Sequence, residues 1–448
     1  MAYIKKYIRE NISMLIVLIC FLFVAVFNAF MNIGIIEDGC HHFWEALIAE
    51  NIWTGHEGVN TFPFNSRYFP SLIQHLSVGV LALLGVTKIK ILLLVFTLVS
   101  YLLPPVILLV IYLNIPKNKK NSFETILLYF LTCMNFMIYQ VWTENLFTGL
   151  FLWIIFVIYY YNDFDKLSKF NLISLIAFST CLISSHPIAA VFIIPMIVFA
   201  IVKQCKTKNI SCSTKNILIL SYMLLFIAFV FNLFFIIKPI YPKEDYFLFE
   251  FFKEPAFKSF FMSIIIVLII SVINNKKLKY VFYFITILSC FVILNFVFLE
   301  IKSSSGYMYR VLGFYVPLFL MFFILFKDFF KLVTDYNYIK IINVLLMFIF
   351  VFHSVHYGLL WKKYLIDVRD IITTNEKIDF LNISKIELFH FHTLPYDLIF
   401  IPALFNVEQY CKIVVSENSL LYGHAKKIKR YEDRLTKFNI KADNFIKK

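Results

Sequence analysis

Apolar runs long enough to cross a lipid bilayer recur along most of this 448-residue chain, and they exclude nearly every fold open to a soluble sequence of that length. In hydrocarbon every backbone N–H and C=O must find its partner within the structure, so runs of roughly 20 apolar residues mean α-helices. About eleven can be marked, at 12–36, 91–113, 123–142, 145–161, 169–185, 187–203, 217–237, 258–274, 280–299, 311–326 and 341–359. The expected fold class is an all-α polytopic membrane protein. Hydrophobic residues make up 60% of the chain and charged residues 16%, with a mean hydropathy of +0.79. Soluble domains carry roughly a quarter charged residues.

A net charge of +14 invites a nucleic-acid reading, but the Lys and Arg residues fall in short runs between apolar segments. That is the pattern of topogenic charge, and no nucleic-acid partner is expected. The basic start, MAYIKKYIREN, leads into an apolar run too long for a signal-peptide core and without a small-x-small cleavage site, so it reads as a retained first span. Of the eight cysteines, Cys20, Cys133, Cys181 and Cys290 fall inside apolar runs, and Cys205 and Cys212 in a Lys-rich connection. None forms a CxxC pair, which argues against a metal or disulfide framework and leaves Cys40 with Cys411 as the weak exception.

The segment 71–86, SLIQHLSVGVLALLGV, is apolar but short, and charge decides its place. If it crossed the membrane, the PKNKK loop at 116–120 would lie opposite the basic N-terminus. If it lies along the interface, that loop joins the N-terminus, as do the Lys-rich connections at 203–215, 276–279 and 327–340. The second arrangement satisfies the positive-inside rule throughout, so 71–86 is expected to be a juxtamembrane helix. The far side then carries 36–90, the turns near Glu144 and His186, the loops 238–257 and 300–310, and the tail from Trp361. The tail reads as a small mixed α/β outer domain with a basic, helical end.

Chemistry is expected to begin in 36–70, IEDGCHHFWEALIAENIWTGHEGVNTFPFNSRYFP, which gathers Glu37, Asp38, His41, His42, Glu45, Glu50, His56, Glu57 and Arg67. Glu37 and Asp38 mark where the first helix leaves the membrane. By spacing alone they are a solvated helix boundary; because the amphipathic EALIAENIW follows directly, they are placed in a covered niche, where a carboxylate can take a proton from a hydroxyl. His41 and Glu45, spaced i, i+4, share a helix face as a metal or proton-relay pair would, or as a hydrogen-bonded structural pair. Arg67 can bind a phosphate at headgroup depth or anchor to lipid. Glu144 is either a solvated turn acid or a second carboxylate facing the first, and His186 is a structural turn residue or a phosphate contact. Arg310, beside Tyr309 in SSSGYMYRVLGFYVP, offers the same choice as Arg67.

Together these residues resemble the GT-C superfamily of membrane glycosyltransferases. There the first outer loop opens on an acidic motif and runs into a juxtamembrane helix, and EDGCHHFWEALIAENIWTGHE looks like that pattern. SRYFPSLIQHLSVGVLALLGV is similar to the family's basic residue beside a Pro and the apolar helix after it, Glu144 falls at its second acidic position, and YRVLGFYVP approximates its late Arg/Tyr-x-x-x-Pro helix start. The second acid is Glu here where Asp is commoner, Pro-Pro is Pro70-Ser71, and Ser185-His186 replaces Lys-Gly.

The resemblance implies a GT-C-like transmembrane domain over 1–360, with 37–90 as first periplasmic loop, and a C-terminal periplasmic domain over 361–448. It implies inverting sugar transfer from a polyprenyl-phosphate donor to a cell-surface glycan or lipid-linked acceptor such as O-antigen, at the outer face of a bacterial inner membrane. The chain is similar in this to serotype-converting glucosyltransferases and to the aminoarabinose and mannosyl transferase group. Asp38 or Glu37 would be the base and Glu144 would orient the acceptor; Arg67, Arg310, Tyr309, His186, His41 and Glu45 would bind substrate. A divalent ion, Mg or Mn, near Asp38 and Glu144 stays open. The partners are the lipid-linked donor, the acceptor and membrane lipid. An O-antigen polymerase or ligase would place more Arg in its outer loops, and a non-catalytic lipid or glycan transporter would place ionisable residues on mid-helix faces. A structural partner in an envelope complex would tolerate substitution of Asp38 and Arg310.

Overall fold

A computed structural model describes residues 2–35, 43, 46–47, 75–117, 120, 132, 144–186, 189–237, 336–374, 377–379, 398, 400–407, 412–415, 429, 432–440 and 445–447. Seven long helices occur among them: α1 (Ala2–Phe30), α2 (Ile89–Asn114), α3 (Glu144–Tyr161), α4 (Lys169–Cys181), α5 (Ala189–Lys206), α6 (Cys212–Ile237) and α7 (Tyr336–Thr374). Four contain stretches long and apolar enough to cross a bilayer: Asn11–Phe30, Ile89–Asn114, Cys212–Phe234 and Asn343–Thr374. α3 holds the shorter apolar stretch Leu146–Tyr161, and α4 with the turn that follows it the stretch Lys169–Ser184. The runs expected at 258–274, 280–299 and 311–326, and 123–142 apart from Thr132, lie outside the described residues.

Large apolar side chains stand exposed along α1 (Ile19, Leu22, Phe23, Phe30), α6 (Met223, Phe226, Phe234) and α7 (Phe348, Phe352, Leu359). Contiguous apolar surface on this scale is a liability in water and the normal outside of a helix in lipid. The protein is a mostly helical membrane protein. α3 lies at the centre of the described bundle: residues 146–159 are buried on every side, as expected of a helix that is apolar all round.

The helices pair in a definite sense. Asn343 Nδ2 donates to Ser13 O (3.2 Å), the Phe21 and Phe350 rings lie 4.8 Å apart, Gly358 abuts Asn28, and Trp361 Nε1 donates to Asn32 O (3.0 Å). Positions on α1 and α7 rise together in steps near seven, so the two helices run parallel with a heptad-like seam. Gly358 allows a close approach there: a Cβ would stand 2.7 Å from Phe27 Cε1 and 3.2 Å from Asn28 Oδ1, so those side chains would have to shift. α1 and α2 run antiparallel, since Tyr112 donates to Asn11 at one end while Gly34 touches the Thr97 side chain at the other.

Buried polar groups bind α2, α3, α4 and α6 at the Asn11 end. Asn114 donates to Ser174 Oγ (3.1 Å) and accepts from Asn171 Nδ2 (2.8 Å), its carbonyl accepts from Asn162 Nδ2 (3.0 Å), and the Ser221 hydroxyl meets those of Tyr159 (2.8 Å) and Ser179 (2.9 Å). Ser168 and Asn171 form a reciprocal capping box at the start of α4. Interhelical bonds of this kind hold helices together where lipid gives no hydrophobic drive.

These pairings sort the connections between the two ends. Lys117 and Lys120, the loop 162–168 and the Lys-rich turn 203–215 gather at the Asn11 end. Lys120 lies 4.3 Å over the Tyr112 ring, and burial together with the neighbouring Lys117 pushes its ammonium below the usual lysine range. The opposite end carries Gly34, the start of α3, the turn 182–186 and Trp361. The chain between α1 and α2 therefore leaves and re-enters the bundle at one end. The described part of 71–86 is a wide turn, His75–Gly79, then Val80–Leu83, closed where Gly85 adopts φ +86° and Val86 N donates to Leu81 O (3.0 Å). Only a glycine takes that backbone at no cost.

α7 continues without a break to Thr374, so a boundary drawn between 360 and 361 falls inside a helix. The polar stretch after Trp361 keeps an apolar seam, Trp361, Leu365, Val368 and Ile372, all buried. Beyond it, among the described residues, lie three parallel strands in the order β1 (Lys377–Asp379), β2 (Lys412–Val415), β3 (Phe445–Lys447), with Ile413 paired to Ile378 and to Phe445. Parallel neighbours need crossovers, and the short helices Ile401–Phe405 and Glu432–Leu435 lie in them.

Candidate functional site

The end of the bundle away from the lysines brings two of the expected residues close. Glu144 is the first residue of α3, and Thr148 follows it by one helical turn. Residues four apart share a helix face and are separated by about 6 Å of rise. Thr148 is buried, and its Oγ1 accepts a hydrogen bond from the backbone N–H of His186 at 3.1 Å. His186 is half-buried, and its carbonyl accepts from Ala189 N (3.0 Å) at the first turn of α5. The His186 backbone thus sits against the opening turn of α3 that Glu144 begins.

The turn holding His186 is pinned from below. Leu182 O accepts from Ser185 Oγ (3.0 Å) and from Asn232 Nδ2 (2.9 Å), which also donates to Ala228 O (2.7 Å). Ser184 and Ser185 are fully buried. Thr148 and Asn232 are the residues that sequence reasoning did not single out. The available signal was a hydroxyl one turn after the acid in TENLFT, and an amide inside an otherwise apolar helix. Replacing Thr148 by Val keeps the shape and removes the acceptor for the His186 N–H. A loss of about 1 kcal/mol of stability is expected, read as a lowered thermal melt of the purified protein.

Of the other expected site residues, Asp38, Glu37, Arg67, Arg310, Tyr309, His41 and Glu45 lie outside the described residues. The first loop is represented by Phe43, Ala46 and Leu47, which are helical and buried. Phe43 lies between the Phe96 ring on α2, 5.3 Å away, and the Phe400 ring of the C-terminal segment, 5.6 Å away. Phe43 is thereby seated at the end of the bundle that holds the start of α3.

Among the described residues no group of three or more His, Cys, Asp or Glu side chains is placed to hold a metal ion. Comparison with known proteins yields no matching family model, no matching curated protein and no matching solved structure.

Proposed function

We propose that this protein is an inverting membrane glycosyltransferase of GT-C type, moving a sugar from a polyprenyl-phosphate donor to a cell-surface glycan or lipid-linked acceptor. The observation that carries the reading is the two-ended bundle: lysines gather at one end, while the start of α3, the His186 turn, the first loop and the C-terminal segment meet at the other. By the positive-inside rule the lysine end is cytoplasmic, which puts Glu144 and His186 at the periplasmic face of a bacterial inner membrane.

In this reading the acceptor hydroxyl attacks the anomeric carbon as Asp38, or its neighbour Glu37, takes the hydroxyl proton. The bond from that carbon to the donor phosphate oxygen breaks, and polyprenyl phosphate departs with the electron pair. Arg67 and Arg310, with Tyr309 beside the second, neutralise the charge that grows on the leaving phosphate, an effect worth as much as the base in such a reaction. Glu144 at the head of α3 orients the acceptor. His186, fixed by Thr148, and the His41–Glu45 pair line the polar approach.

The test is turnover. Purified full-length protein in proteoliposomes is supplied with polyprenyl-phosphate sugars and with lipid-linked or lipopolysaccharide acceptors, and release of polyprenyl phosphate is followed with transfer of the sugar. Acceptor-dependent release is expected. Absence of turnover with every donor and acceptor pair overturns the reading in favour of a carrier or a structural partner.

A further inference from the structure

The C-terminal segment touches the first loop at one described place, and that contact suggests what the segment is for. Phe43 is fully buried between Phe96 of α2 and Phe400, with both ring pairs tilted by 59°. Ala46 and Leu47 are buried with it. At about 100° per residue, positions 43, 46 and 47 form one helical face, the face that packs.

Phe400 is itself firmly held. It leads directly into Ile401–Phe405, a short buried helix that packs against both α7 and α2. On the α7 side the Arg369 guanidinium lies 5.2 Å over the Phe405 ring. α7 in turn is tied to the end of α1 through Trp361 and Asn32. An unbroken chain of contacts thus runs from the parallel α1–α7 pair through the C-terminal segment to Phe43.

We propose that the C-terminal segment is a clamp, with Phe400 as a positioning residue that presses Phe43 onto Phe96 and so fixes the helical positions Phe43, Ala46 and Leu47 against α2. That this fixing serves catalysis rests on the glycosyltransferase reading; the clamp itself does not.

The experiment separates the two. In full-length protein carrying Cys205→Ser and Cys212→Ser, which removes the exposed thiols of the lysine end, Ala46→Cys is introduced and its labelling by a maleimide is timed with and without Phe400→Ala. The clamp predicts slow labelling with Phe400 present and at least about tenfold faster labelling without it, while the thermal melt of the bundle persists. Phe400→Leu, which still fills much of the site, is expected to restore slow labelling. Phe405→Ala, in the same segment but facing Arg369, provides the comparison for simple loosening. Unchanged labelling in Phe400→Ala, or equal acceleration in Phe405→Ala, overturns the clamp whatever the activity.

Transfer assays on the same proteins test whether the clamp serves catalysis. Phe400→Ala is expected to lower kcat per folded molecule about tenfold, with KM for the donor changed less than kcat, and Phe400→Leu to recover most of it. Faster labelling in Phe400→Ala with undiminished kcat retains the clamp and overturns its role in catalysis. No turnover in the parent protein overturns the glycosyltransferase reading and leaves the labelling result standing.

Discussion

Replacing Asp38 by Asn is expected to lower sugar transfer by about 10²–10⁴-fold, the usual worth of a general base, with the thermal melt unchanged. The carboxamide keeps the size and hydrogen-bonding reach of the carboxylate but cannot take up the acceptor proton. A catalytic loss without a loss of fold is thus the signature of the base. The same measurement on Glu37→Gln assigns the role between two adjacent acids. If Asp38→Asn turns over at the parent rate and Glu37→Gln does not, the base is Glu37. If both retain full activity, proton transfer belongs to Glu144 or to water, and the departing phosphate carries more of the chemistry. Loss of activity together with a fall in the melt would mark Asp38 as a structural residue of the loop.

The membrane helices were legible because hydropathy reports on them directly. Runs read at 91–113 and 145–161 correspond to Ile89–Asn114 and Glu144–Tyr161. Their polar extensions were not legible by that measure. α1 reaches back to Ala2 through KKYIRE, whose Lys, Arg and Glu residues favour helix as well as apolar ones do. α7 continues fourteen residues beyond 360 because WKKYLIDVRDIITT keeps a buried seam at helical spacing, which a hydropathy window averages away and a periodicity count would catch. The pairing of α1 with α7 depends on contacts more than 300 residues apart, such as Ser13 with Asn343. No local pattern carries that information.

The site was legible as a list and not as an arrangement. Glu144 and His186 each stood out as a polar residue at the edge of an apolar run, which is why they were found. That they share one turn of space follows from Thr148, whose hydroxyl looked like one more small residue in a membrane helix. Charge counting put the connections at 116–120 and 203–215 on the side of the N-terminus, and Lys117, Lys120 and the turn 203–215 do lie at the Asn11 end, while 276–279 and most of 327–340 fall outside the described residues.

Substituting Met for Lys203 is expected to destabilise the bundle by about 3 kcal/mol, more than any other single surface lysine. The Lys203 ammonium donates to Tyr159 O (2.8 Å), Tyr160 O (2.9 Å) and Asn162 O (2.8 Å), and lies 5.1 Å over the Phe164 ring. These carbonyls close the C-terminus of α3, where a helix leaves acceptors unpaired and its dipole favours a cation. α3 is buried from 146 to 159 and half-buried at Tyr160 and Tyr161, so its last carbonyls have only limited water to turn to when the ammonium is gone. Hydrogen bonds to charged groups contribute about 1.5–3 kcal/mol each, and three that share one donor add up to less than their sum. Met keeps the apolar stem, so the loss isolates the charge and its bonds from packing. Equilibrium unfolding of the purified protein in mixed micelles reads the effect, with Lys206→Met, exposed on the same turn, as the control expected to change stability by less than about 0.5 kcal/mol. Equal effects at the two positions would mean that the α3 carbonyls are served by solvent, and that Lys203 acts only as one more charge at the basic end. A large effect at Lys203 alone would make the central helix, which begins at Glu144, dependent on a cation held at the far end of its 18 residues.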